Sequence, residues 1–168
     1  MSRRAPVPLA EQHQLASFDC GQPAQNDWLR RRALQNQQSG ATRTFVACEG
    51  EAVIAYYALA SGAIAITEAT GRMRRNMPDP IPVVLLARLA VDHRHQRQGI
   101  ARALLRDAGL RVLHAADSIG VRGLLTHAVD DAARAFYLRL GIDPSPRAPM
   151  TLMITLADLQ AALGSPGA

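Results

Sequence analysis

Apolar and polar positions along the chain mark out nine elements. Val7 to Leu9 is a short apolar run that predicts a first strand. From Pro23 to Gln38, Trp28, Leu29 and Ala33 gather on one side of a predicted helix that opens on a proline and stops at Gly40. Thr44 to Cys48 and Ala52 to Ile66 read as two strands of a hairpin joined at Glu49-Gly50. Thr67 to Pro80 is polar and reads as a long loop, of the kind that often carries function. Ile81 to Val91 is apolar except for Arg88 and predicts a buried strand. After Gly99, Ala101, Leu104, Leu105, Ala108 and Val112 form a helical stripe. Gly123 to Ala128 is the next strand, and a helix starts at Asp130-Asp131 and ends at Gly141. Ala133, Phe136 and Leu140 are its expected buried face. Thr151 to Leu156 is the last strand. The order predicts an α/β (α+β) fold with a mixed sheet.

Length and composition narrow the class. The chain has 168 residues, 48% of them apolar and 20% charged, as expected for one globular domain over residues 1–168. No apolar leader or bilayer-length run is present, and Cys20 and Cys48 are too few for a disulfide framework or a four-ligand zinc site. A cytoplasmic protein with neither metal nor membrane is the expectation. The net charge of +5 rests on arginine, because the sequence contains no lysine. A basic surface favours a polyanionic partner.

The chemistry centres on Gln96-Arg97-Gln98-Gly99-Ile100-Ala101-Arg102, which turns a strand into a helix. The first amides of a helix have no intrahelical acceptors, and the helix dipole adds positive charge beside them. A phosphate or pyrophosphate suits such a site. Gly99 and Ala101 keep the backbone open to a ligand, and Arg94, Arg97 and Arg102 surround it with charge. A plain helix start with a solvated basic rim has the same spacing. The pattern is neither a P-loop nor a dinucleotide fingerprint.

The pattern Gln96-x-x-Gly99-x-Ala101, after an apolar strand, resembles the acetyl-CoA motif of GNAT N-acetyltransferases. The element order is similar as well. The resemblance implies a GNAT fold, a mostly antiparallel central sheet flanked by helices, with acetyl-CoA as co-substrate. It implies that Gln96 to Arg102 hold the pyrophosphate, and that Leu89-Ala90-Val91 pair with the pantetheine arm. Tyr137 lies about 100° around its helix from Phe136, at the expected edge of the core. A phenol there is a neutral donor at pH 7, and the resemblance implies that it is the general acid for the departing thiolate. His127 and Glu68 are weaker candidates for a base. An α-amine, with a pKa of about 8, has little need of one.

Four stretches, FDCGQPAQNDWLRRRA, GRMRRNMPDPIPVVLLARLAVD, the glycine turn and HAVDDAARAFYLRLGI, resemble the TacT-type tRNA-acetylating toxins of type II toxin–antitoxin modules. That resemblance implies acetylation of the α-amine of aminoacyl-tRNA, and a ribbon-helix-helix antitoxin. It further implies a homodimer, with DNA reached only through the antitoxin complex. Arg97 departs from the family, which often has a small residue there. Arg30, Arg31 and Arg32, with Arg72, Arg74 and Arg75, read as two clusters without a nearby acid to neutralise them. Arg30, Arg31, Arg72, Arg74 and Arg75 are the expected tRNA contacts, a solvated face being the alternative for the first cluster. Arg88 either pairs with an acid or faces the tRNA 3′ end. Two rival readings are an acetyltransferase for protein N-termini or small amines, and a catalytically silent interaction or repressor protein.

Overall fold

The computed structural model describes residues 5–164. Its strands are β1 (Val7–Pro8), β2 (Arg43–Glu49), β3 (Ala52–Ile64), β4 (Ile81–Val91), β5 (Gly123–His127), β6 (Asp143–Pro144) and β7 (Thr151–Thr155). They are hydrogen-bonded in the order β1-β2-β3-β4-β5-β7-β6. The β4–β5 pair is parallel, while β1–β2, β2–β3, β5–β7 and β6–β7 are antiparallel. This is the mixed, mostly antiparallel sheet that was expected. Six α-helical segments accompany it: α1 (Pro23–Trp28), α2 (Leu34–Ser39), α3 (Gly71–Arg74), α4 (Ile100–Ala115), α5 (Asp131–Arg139) and α6 (Leu156–Leu163).

The chain forms two compact units. The first takes residues up to Ala60 together with Ala87–Ala108. Its core joins Leu9, Phe18, Leu29, Ala33, Val46, Val53, Tyr56 and Ala90. Phe18 meets Tyr56 edge-on at 5.5 Å, and Trp28 stacks on Tyr56 at 5.9 Å. Between α1 and α2 the backbone widens into a π-helical turn, Leu29–Ala33, which carries all three arginines of the Arg30–Arg32 run. The predicted helix is therefore present, with an inserted turn of a type often found at functional sites. The β2–β3 hairpin is as read, with a bulge at Ala47/Cys48.

The second unit takes Ser61–Leu86 with Gly109 onward. Ile64, Ala69, Met73, Ile81, Val83, Leu125 and Met153 form its core. The expected long loop is largely ordered. Ile66–Glu68 is a 3₁₀ turn, and α3 follows with its first turn capped by Thr70, whose hydroxyl accepts the Met73 amide at 3.2 Å. Met73 is fully buried and anchors the segment. Two further elements, β6 and α6, were not anticipated. On α5 the expected faces are exchanged: Tyr137 is buried at 5% exposure, whereas Phe136 is half-buried. Gly141 ends that helix in the left-handed region (φ 84°).

Candidate active site

The strand–turn–helix in the first unit has the geometry of an anion cradle. β4 ends at Val91, His93–His95 forms a 3₁₀ turn, and α4 begins at Ile100. The first intrahelical bond of α4 runs from the Ala103 amide to the Gly99 carbonyl at 3.1 Å. The amides of Ile100, Ala101 and Arg102 lie before it and have no acceptor within the helix. Gly99 has φ +79°, and a Cβ there would meet nothing within 4 Å. Conformation, not crowding, therefore requires glycine, and the space in front of the backbone is open. These features fit a diphosphate, which would lie against the amides of residues 99–102 with the helix dipole behind them.

Arg97 also lies in the left-handed region (φ 65°), where a side chain costs about 1–2 kcal/mol. This is the position where the family resemblance expects a small residue. The side chains of Arg97, Gln98 and Arg102 are exposed around the turn. That of Gln96 is engaged by the protein itself: its Nε2 donates to the Val91 carbonyl at 2.9 Å and to the Cys20 carbonyl at 3.2 Å. Gln96 thus ties the turn to the end of β4. Leu89 is half-buried, and Ala90 and Val91 are buried.

Behind the turn lies Asp92, which the sequence reading passed over. It is fully buried. Its Oδ1 accepts from the Arg94 amide at 2.9 Å and Arg94 Nε at 3.0 Å, while its Oδ2 accepts from Arg94 Nη2 at 3.1 Å and the Asp19 amide at 3.0 Å. Burial pushes its carboxyl up, but the bonds from Arg94 and Asp19 outweigh this and hold it well below the usual carboxylate range. Asp19 in turn accepts from the Gly21 amide and Asn26, both at 2.9 Å. Arg94, expected to add charge around the anion, is instead the ion partner of Asp92.

In the second unit, Tyr137 is the buried residue of α5. Burial pushes its phenol up, and a hydrogen bond with Thr126 acts in the opposite direction. The hydroxyl is therefore protonated throughout the physiological range and is a donor. Thr126 itself donates to the Leu86 carbonyl at 3.0 Å. The ring of Phe136 meets that of Tyr137 edge-on at 5.3 Å. His127 is exposed, its Nδ1 2.9 Å from the Thr151 hydroxyl. Glu68 is exposed on the 3₁₀ turn, where its carbonyl accepts from Ser145 at 2.6 Å.

The arginine clusters are not free of nearby acids: Asp158 is distant in sequence, but Asp27 lies only three residues before Arg30. Arg72 forms a two-pronged pair with Asp158 of α6, at 2.7 and 2.5 Å. Arg122 then holds the backbone of α3, donating to the Met73 and Arg72 carbonyls at 3.0 and 2.7 Å. Arg74 and Arg75 remain exposed on this clamped segment. In the other cluster Arg30 donates to the Phe18 carbonyl at 2.7 Å and lies 3.5 Å from Asp27. Arg31 and Arg32 are exposed. Among the described residues no helix is long and apolar enough to cross a membrane, and no His, Cys, Asp and Glu cluster has the makings of a metal site.

Comparison with known proteins agrees with this chemistry. The chain is 48% identical over 160 residues to a tRNA-acetylating toxin of Mycobacterium tuberculosis (strain ATCC 25618 / H37Rv), covering 95% of this chain and 96% of the relative. Among solved structures it resembles AtaT complexed with acetyl-methionyl-tRNAfMet, with a TM-score of 0.85, 25% identity, and coverage of 93% of this chain and 96% of that one. It also resembles AtaTR bound with AcCoA, with a TM-score of 0.80, 26% identity, and coverage of 93% and 95%. Residues 40–141, which include the whole glycine turn and all of α5, match the acetyltransferase (GNAT) domain. With that match and the identity to the mycobacterial toxin, the chain belongs to the GNAT acetyltransferases.

Proposed function

We propose that this acetyltransferase moves the acetyl group of acetyl-CoA onto the α-amine of aminoacyl-tRNA and so stops translation. The observation that carries the reading is the turn around Gly99, whose unpaired amides and open backbone suit a coenzyme diphosphate. The identity to a tRNA-acetylating toxin supports the choice of acceptor. The amides of residues 99–102 hold the diphosphate, and the backbone of Leu89-Ala90-Val91 aligns the pantetheine arm. Because the Val91 carbonyl already accepts from Gln96, the remaining groups of that strand end do the pairing.

Coenzyme A supplies an activated thioester. The neutral amine attacks its carbonyl carbon, a C–N bond forms and the C–S bond breaks. Tyr137 gives its proton to the departing sulfur, and the proton lost by the amine restores the phenol. An α-amine of pKa about 8 is partly neutral at pH 7, so the step needs no dedicated base. Arg31, Arg74 and Arg75 contact tRNA phosphates, while Arg30 and Arg72, anchored by their own partners, keep those segments in place. The reading takes residues 1–168 as one cytoplasmic domain, a homodimer neutralised by a ribbon-helix-helix antitoxin and brought to DNA only in that complex. Solved relatives include an AtaT–AtaR complex bound to DNA.

Radiolabelled acetyl-CoA offered with charged tRNA, uncharged tRNA and a small amine tests the reading. Label on the α-amine of the charged species alone is the expected result. Label on the small amine, with none on charged tRNA, would replace it with the small-amine reading.

A further inference from the structure

Arg88 is the one charge within the apolar strand β4, and its surroundings are unusual for an arginine. It is half-buried, yet it takes part in none of the ion pairs found among the described residues. Its Nη1 donates to Gln25 Oε1 at 2.8 Å. Its guanidinium lies over the Trp28 ring, 5.2 Å from the centroid. Gln25 is itself buried, and its carbonyl accepts the Tyr56 hydroxyl at 2.7 Å. Trp28 stacks on the same tyrosine. The guanidinium plane is therefore fixed on one side by an amide and on one face by an indole.

Half-burying a cation without a carboxylate works against folding, and a core side chain would pack there without that penalty. A guanidinium fixed at one nitrogen keeps a second edge of donors, in the fork geometry that matches phosphate oxygens. Its place on the strand indicates which phosphate. Arg88 is two residues before Ala90, so both side chains face the same side of β4, and Ala90 packs into the core with Leu29 and Ala33. That side carries the helix holding Gln25 and Trp28. The strand end at Leu89-Ala90-Val91 is where the proposed function aligns the acetyl donor. In an aminoacyl-tRNA the first anion beyond the reacting amine is the phosphodiester on the 5′ side of the terminal nucleotide.

We infer that Arg88, oriented by Gln25 and Trp28, binds this last phosphodiester and sets the acceptor amine in register with the thioester. The inference rests on the tRNA reading above and adds a specificity-determining residue to it. It also explains how an enzyme with largely sequence-independent phosphate contacts would select the 3′ end of its substrate.

The test uses full-length charged tRNA, ligated so that its last internucleotide linkage is either the natural phosphodiester or a neutral methylphosphonate. Wild-type protein should lose about tenfold in kcat/KM when this one charge is removed, a typical effect for a charge-assisted bond. Arg88→Met should lose about as much on natural tRNA, with no further loss on the neutral linkage, and with acetyl-CoA affinity by calorimetry unchanged. Arg88→Lys should fall between the two. Equal wild-type rates on both tRNAs would overturn the inference while leaving the tRNA reading intact, and that arm needs no variant to fold. A second full loss in Arg88→Met on the neutral linkage would also overturn it. Failure of wild type to acetylate any charged tRNA would remove both readings together.

Discussion

The turn after β4 and the segment around α3 are both rich in arginine and use it in opposite ways. In the turn, side chains hold the backbone. Arg94 closes on Asp92, Gln96 grips the Val91 and Cys20 carbonyls, and the free donors left in front are the peptide amides of α4. Around α3, other groups hold the backbone so that side chains are left facing outward. Asp158 takes Arg72, Arg122 takes the carbonyls of Arg72 and Met73, and Arg74 and Arg75 are left exposed. Tyr137 shares with this second style that a side chain is the proposed working group, but it is held by burial and does not face outward. A fixed array of amides suits a diphosphate of constant geometry. Long flexible cations suit a tRNA surface whose phosphates shift from one molecule to the next.

The comparison breaks most visibly at Tyr137. Replacing it with Phe removes the proton donor and leaves the cradle whole. Turnover on charged tRNA should fall about a thousandfold, within the range for a general acid, while calorimetric affinity for acetyl-CoA stays the same. A parallel loss of affinity would mean that the two styles are not separable.

Asp92→Asn attacks the hidden scaffold of the turn. Removing a buried charge from beneath Arg94 should cost on the order of 2 kcal/mol in chemical denaturation, below the full value for a buried pair because the Arg94 guanidinium is itself partly solvated. Acetyl-CoA affinity should weaken about tenfold, as for roughly 1.4 kcal/mol. The sign with pH follows from the lowered Asp92 value. Stability from this carboxylate is present above its ordinary value of 3.8 and is lost as pH falls through the lower folded value. Acid titration of stability should therefore be shallower in the Asn variant.

Changing Arg74 and Arg75 together to Ala should raise the KM for charged tRNA several-fold and reduce the slope of log affinity against log salt by about 1.4–1.8, with acetyl-CoA affinity unchanged. Arg72→Ala should act on the same KM by loosening the segment, and loss of Asp158 should reproduce it. An unchanged salt slope in the double variant would take α3 out of the tRNA surface. The smallest effect is expected at Arg97. Glycine there relieves a left-handed side chain and should raise stability by about 0.5–1 kcal/mol. If acetyl-CoA affinity falls at the same time, the Arg97 guanidinium contacts the coenzyme. If it does not, the turn relies on its amides alone.

Much of this arrangement was legible in residue order. The run Ile81 to Val91 is continuous enough to mark β4 to the residue, and a lone glycine between strand and amphipathic helix marks the cradle. The faces of α5 were harder. Phe136 and Tyr137 are one step apart on a nine-residue helix, and it is Tyr137 that goes fully inside. The short helix α3 has no apolar period of its own and exists because Met73 is buried and Thr70 caps it. The pairing of Arg72 with Asp158 spans 86 residues and leaves no local trace. By contrast α6 did leave a signal, Thr155 capping the Asp158 amide ahead of Leu156, Leu159 and Leu163, that a search for capping residues finds.

The central claim is that peptide amides of the turn bind the coenzyme diphosphate. A diffraction structure of the protein with acetyl-CoA tests it most directly. The account predicts diphosphate oxygens about 3 Å from amides of residues 99–102. A coenzyme bound with its diphosphate elsewhere, and water in front of Gly99, would contradict it.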